Sequence, residues 1–151
     1  MGQSLSQLYV HLTFGTKERY PFIIPKIQDQ LHAYLAGILK KYESSAITIN
    51  SVSDHIHVLF RLSKNFTLAK IVEEIKKSSS KWMKEIEGGS LKFTWQIGYG
   101  AFSVSSSKLE TVKNYIKNQE EHHKRITYKE EIEEFISRYD IIEYDAKYFW
   151  N

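Results

Sequence analysis

The chain contains no cysteine. Disulfide bridges, zinc–thiolate centres and thiol nucleophiles are therefore excluded, and a reducing cytosol is permitted. No apolar run approaches the roughly 20 residues that span a bilayer. The N-terminus lacks the apolar stretch of a signal peptide, so the expectation is a cytoplasmic protein with no membrane partner. There is no linker, low-complexity tract or internal repeat. Neither sign of charge dominates. Lys plus Arg number 21 and Asp plus Glu 18, a net charge of +3. That balance is mildly basic, compatible with nucleic acid without being diagnostic of it. At 151 residues with 42% hydrophobic content, one domain spanning 1–151 with a real core is expected. Aromatic residues are plentiful, with ten Tyr, eight Phe and three Trp. They can fill a core, support an interface or stack on bases, and composition does not choose among these.

The most informative stretch is Asp54-His55-Ile56-His57-Val58. In a strand, side chains alternate between faces, so His55 and His57 share one face. Two imidazoles so placed can jointly hold a divalent metal, while Ile56, Val58, Phe60 and Leu62 form the buried face. About sixty residues on, Tyr115 and Gln119 sit one turn apart if that segment is helical. A metal site plus a phenol that can act as nucleophile is chemistry for cutting a phosphodiester.

The surrounding pattern supplies a frame. Leu8 to Phe14 alternates as a first strand, with His11 and Thr13 on its outward face. Pro25 opens a helix reaching about Tyr42. Ala46 to Val52 reads as a second strand, with Ile47 and Ile49 facing one way and Thr48 and Asn50 the other. A tight turn at Ser53-Asp54 leads into a third strand, His55 to Leu62. Thr67 caps a helix that Gly88-Gly89 ends near Glu87. Phe93 to Ser105 is strand-like, interrupted by Gly98 and Gly100. Ser107, with Glu110, predicts a capping box opening a helix to about His123. A further helix spans roughly Tyr128 to Arg138. The order β-α-β-β-α-β then helix is the α+β, ferredoxin-like split βαβ pattern. It predicts an antiparallel sheet with helices on one face and a C-terminal tyrosine-bearing helix. The other face would carry His11, Thr13, Thr48, Asn50, His55 and His57, and a functional site is expected there.

These features resemble the single-tyrosine HUH transposases of the smallest bacterial insertion sequences. His55-Ile56-His57 fits the histidine–hydrophobic–histidine motif. Tyr115 is the only tyrosine followed by Gln at the fourth position, which fits the family's Tyr–Gln helix. The likeness extends over roughly residues 7 to 130 and includes Asp54 and the segment Gly98-Tyr99-Gly100-Ala101-Phe102. The resemblance implies a DNA transposase in which Tyr115 is the nucleophile and His55, His57 and Gln119 hold Mg²⁺ or Mn²⁺. It implies single-stranded DNA with hairpin ends as substrate, a 5′-phosphotyrosine intermediate and a homodimer, with histidines from one subunit facing the tyrosine helix of the other. Lys17, Arg19, Lys77, Lys81 and Lys84 have two readings, as DNA-backbone contacts or as solvated surface. Gln119 likewise reads as ligand or as helix surface. His122, three residues past Gln119, is placed to approach the metal or a phosphate, but His122 and His123 read best as a basic helix end beside Lys124 and Arg125. Trp82 and Trp95 read as packing residues. A domesticated relative that binds structured single strands without cutting is the alternative function. A larger relaxase-type nuclease fits the small size and the Gln less well, and the aromatic motifs of a plain RNA-binding module are missing.

Overall fold

The computed structural model describes residues 2–139, 141 and 143–151. Four strands form one sheet: β1 (Leu8–Gly15), β2 (Ser45–Ser51), β3 (His55–Leu62) and β4 (Gly100–Val104). Their order is β2-β3-β1-β4, and each neighbouring pair is antiparallel. Helix α1 (Pro25–Lys41) joins β1 to β2, and α2 (Leu68–Glu85) precedes β4. The expected split βαβ topology is thus present, followed by α3 (Leu109–Lys117), α4 (Gln119–His122), α5 (Tyr128–Arg138) and α6 (Ala146–Phe149). Among the described residues, no helix is long and apolar enough to cross a membrane.

Alternation along β1 and β3 divides the sheet chemically. Leu12, Phe14, Ile56, Val58 and Phe60 face α1 and α2 and are fully buried against Leu31, Leu35, Ile71, Ile75 and Met83. Each such side chain contributes about 1.5–3 kcal/mol relative to exposure. The opposite face carries His11, Thr13, His55 and His57, and it too is buried. It is covered by the segment after β4, with Tyr128, Ile132 and Phe135 of α5 forming a second apolar cluster beside Phe102 and Tyr115.

Four local expectations are corrected. In β2, Ala46 pairs with Phe60 but Thr48 pairs with Leu59, so Ile47 is an extra residue. This bulge puts Ala46 and Ile49, not Ile47, on the core side. The strand expected from Phe93 shrinks to Gly100–Val104. The Lys76 ammonium donates to the carbonyls of Gln96, Ile97 and Gly98, occupying acceptors a ladder would need. Ser107 does not cap α3. Its hydroxyl pairs with that of Ser105, and residues Ser106–Lys108 form a 3₁₀ turn before the helix starts at Leu109. Finally, the helix does not run unbroken to His123. Asn118 departs from helical geometry (φ −96°, ψ 19°). Asn50 of β2 donates to the carbonyls of Ile116 (2.8 Å) and Lys117 (3.2 Å), diverting the acceptors that would continue α3 into α4.

Candidate metal and tyrosine centre

The hairpin between β2 and β3 delivers His55 and His57 to the face beneath α5, both with zero exposure. Every histidine of the chain except His32 gathers here. His57 Nδ1 lies 2.7 Å from His11 Nε2. His55 Nδ1 lies 2.7 Å from an Asp54 carboxylate oxygen. His123, from the end of α4, has its Nδ1 2.9 Å from the Ile126 carbonyl, an acceptor, so Nδ1 carries that ring's proton. The outward nitrogens are thereby held, and the Nε2 atoms of all three rings converge.

They converge on Glu131. Thr127 caps α5 through a true capping box with Glu130, which fixes the first turn and directs Glu131 inward, where its exposure is zero. Glu131 Oε1 lies 2.9 Å from His57 Nε2, 3.1 Å from His123 Nε2 and 3.4 Å from His55 Nε2. Its other oxygen accepts hydrogen bonds from the Tyr115 hydroxyl and from Gln119 Nε2 (3.2 Å). Gln119 is fully buried, and its Oε1 stands 3.3 Å from His55 Nε2. Tyr115 Oη also lies 3.2 Å from His122 Nε2. Ligand atoms of His55, His57, His123 and Glu131 all fall within 4.8 Å of one another, a set able to hold a metal ion.

Burial would raise the Glu131 pKa, but the His57 charge and hydrogen bonds from His123, His55 and His57 outweigh it and hold the carboxyl well below its usual range. Burial lowers His57, and it lowers His11 to about 3 with help from His57. Burial also pulls His55 down, but hydrogen bonds to Asp54 and Glu131 win and raise it. Tyr115 is raised by burial first and the Glu131 charge second, so the phenol stays protonated at neutral pH. Tyr128 lies flat on His55, ring centroids 3.9 Å apart and 9° from parallel, with its hydroxyl 2.9 Å from Thr13 Oγ1. Beside the centre, a cleft of about 470 Å³ is lined by Asp54, His123, Lys124, Arg125 and Thr127 among others.

The structure therefore brings Tyr115, His55, His57 and Gln119 together, and it does so within one chain. His122 and His123, read as a basic helix end, instead point into the centre. Sequence reasoning missed Glu131 as well: in a first helical turn beside Glu130, it looks like an ordinary dipole-complementing acid. The only signal was the His122-His123 pair, which begins three residues after Gln119. The five cations are not drawn in. Lys77, Lys81 and Lys84 are exposed on α2, across the sheet from the centre. Lys17 and Arg19 are exposed in the turn after β1, where Arg19 sits 5.0 Å over the Trp150 ring. Trp95 is buried and Trp82 stacks on Tyr34, so both are packing residues.

Comparison with known proteins bears on this centre. The family model for IS200-like transposases matches residues 4–119. The ISDra2 transposase TnpA of Deinococcus radiodurans is 25% identical over 121 residues, covering 75% of this chain and 84% of that protein. Two solved structures share the fold. One is a candidate transposase of Deinococcus radiodurans, with TM-score 0.59, 21% identity, and 79% of this chain and 96% of that one covered. The other is a REP-associated tyrosine transposase bound to a REP hairpin, with TM-score 0.60, 15% identity, and 82% and 74% covered. His123 and Glu131 lie beyond the residues the family model matches.

Proposed function

From the premise that the chain belongs to the IS200-like transposase family, we propose that it cuts and rejoins single-stranded DNA at hairpin-bearing ends through a 5′-phosphotyrosine intermediate. One observation carries the reading: Tyr115, His55, His57 and Gln119 all reach the same carboxylate, Glu131. A nucleophile and a metal-ligating pair placed a few ångströms apart are what phosphodiester transfer requires.

On this reading residues 1–151 act as one domain. Tyr115 Oη attacks phosphorus, the P–O3′ bond breaks, and the DNA 5′ phosphate is left on the phenol with a free 3′ hydroxyl. A second 3′ hydroxyl reverses the step and joins new ends, with no external energy source. Before DNA enters, Glu131 holds the phenol through its hydrogen bond. The donor set fits a divalent cation, because the far nitrogens of His55 and His57 are already held by Asp54 and His11. His55 and His57, with the Gln119 amide oxygen beside them, would hold Mg²⁺ or Mn²⁺, which would supply polarisation of the phosphate and stabilisation of charge on the leaving oxygen. Lys17, Arg19 and the α2 stripe Lys77, Lys81 and Lys84 contact backbone phosphates away from the cut. Two cuts need two tyrosines, so the working unit is a homodimer acting on DNA in the cytoplasm.

The test uses single-stranded DNA labelled at its 3′ end, incubated with Mg²⁺ or Mn²⁺ and resolved on a denaturing protein gel. A labelled protein band lost with chelator and with Tyr115→Phe is expected. The zero exposure of His55, His57 and Gln119 favours a second reading, a protein that binds structured strands without cutting. Binding with no adduct under either metal selects that one.

A further inference from the structure

The centre contains more ligands than the cleavage chemistry uses. His123 Nδ1 faces the Ile126 carbonyl at 2.9 Å and His55 Nδ1 faces the Asp54 carboxylate at 2.7 Å. Both partners only accept, so both Nδ1 atoms carry protons, and in the neutral rings both Nε2 atoms present lone pairs. Those two Nε2 atoms lie 3.1 Å apart. Glu131 Oε1, also an acceptor, lies 3.4 Å from one and 3.1 Å from the other. His57 Nε2 completes the group at 2.9 Å from the same oxygen. With the rings neutral, acceptors facing one another at such distances repel unless a proton or a metal cation stands between them. Ligand atoms about 2.0–2.1 Å from one tetrahedral ion are about 3.3–3.4 Å apart; these four contacts run from 2.9 to 3.4 Å and the whole set lies within 4.8 Å.

We propose that His55, His57, His123 and Glu131 form a closed four-ligand site for a divalent transition ion of the zinc class, bound without DNA. Three imidazoles and one carboxylate suit Zn²⁺ or Co²⁺ rather than Mg²⁺, which favours oxygen ligands and keeps several waters. His55, His57 and Glu131 have no exposure and the His123 side chain 9%, so there is little room for those waters. Each histidine also has the outer partner that metal-bound imidazoles characteristically carry: Asp54, His11 and the Ile126 carbonyl. Gln119 stays outside this ligand set, donating to the free oxygen of Glu131. The site shares His55 and His57 with the cleavage reading but stands without it, because His123 and Glu131 belong to the segment past residue 119.

The experiment titrates the full-length protein with Co²⁺ in the absence of DNA and records the visible spectrum, then displaces Co²⁺ with Zn²⁺. One equivalent is expected, with the intense bands of a four-coordinate ion. His123→Ala and Glu131→Gln should each weaken binding by more than the ten- to hundredfold that loss of an outer partner costs. Circular dichroism verifies that each variant is folded. Should either fail, His123→Gln and Glu131→Asp replace them, and the wild-type spectrum remains decisive. A faint six-coordinate spectrum, binding that depends on His55 and His57 but not on His123 or Glu131, or no binding at all would each overturn the proposal. The adduct assay with Mg²⁺ or Mn²⁺ is independent, so a failure of either reading is seen separately.

Discussion

Gly15→Ala tests how tightly the centre is packed from below. Gly15 ends β1, and its backbone does not adopt positive φ, so alanine is conformationally admissible. The space is not. A β-carbon there would lie 2.9 Å from Tyr128 Cε2, 3.1 Å from the Asp54 carbonyl and 3.3 Å from Gln96 Oε1. The Asp54 carbonyl is backbone in the turn that launches His55. The Tyr128 ring is wedged between His55 and Thr13. Neither yields without disturbing the histidine face. Overpacking of this kind costs about 1–3 kcal/mol. Alanine recovers about 0.4–1 kcal/mol by restricting the unfolded chain. The clash therefore wins, with a net loss of about 1–2 kcal/mol. At about 2–4 °C per kcal/mol for a chain of this size, Tm falls by about 2–8 °C. Thermal denaturation followed by circular dichroism measures it, and Co²⁺ affinity of the same variant should fall as His55 is displaced. An unchanged Tm together with unchanged Co²⁺ affinity would refute the packing argument.

Three further outcomes are expected. Thr127→Ala removes the cap of α5 and should cost about 1 kcal/mol, read as a lower denaturant midpoint with unchanged slope. Since the folded-state pKa of Glu131 is depressed, its contribution to stability is complete above the unfolded carboxyl value of about 4.3 and drains away as pH falls below it. Unfolding curves from pH 7 to pH 3 should show a steeper decline for wild type than for Glu131→Gln. Replacing Lys77, Lys81 and Lys84 together by Ala should flatten the salt dependence of single-strand binding by up to about 0.7 per lost contact and spare adduct formation at low salt. An unaltered slope removes α2 from the DNA surface.

The parts of the fold that a local rule governs were legible beforehand. His55–Leu62 alternates except at Leu59 and has a tight turn before it, and its ends agree with the structure. Thr67 and Pro25 open α2 and α1 as their chemistry dictates. Departures occur where a distant side chain intervenes: Asn50 breaks the helix at Asn118, and Lys76 takes the carbonyls that would lengthen β4. The bulge at Ile47 is invisible to a period-two pattern because it changes the count, not the composition. The same division runs through the site. His55, His57, Tyr115 and Gln119 lie in two short motifs. Glu131 becomes a neighbour of those residues only when α5 folds back over the sheet, and nothing in its local sequence marks it; for His123 the sole mark is the His122-His123 pair after Gln119.

That covering has a kinetic consequence. His55, His57, Gln119 and Glu131 have no exposure, so on the proposed cleavage reading a phosphodiester meets them only after α5 lifts, and opening becomes a pre-equilibrium ahead of chemistry. Apparent affinity for a strand is then the intrinsic affinity scaled by the open fraction, and every 1.4 kcal/mol holding α5 down lowers the rate at limiting DNA about tenfold. A zinc-class ion bridging His123 and Glu131 to the sheet adds to that hold, by about 2.7 kcal/mol at a hundred times its dissociation constant. Cellular metal supply would in this way set how often the tyrosine is offered to DNA.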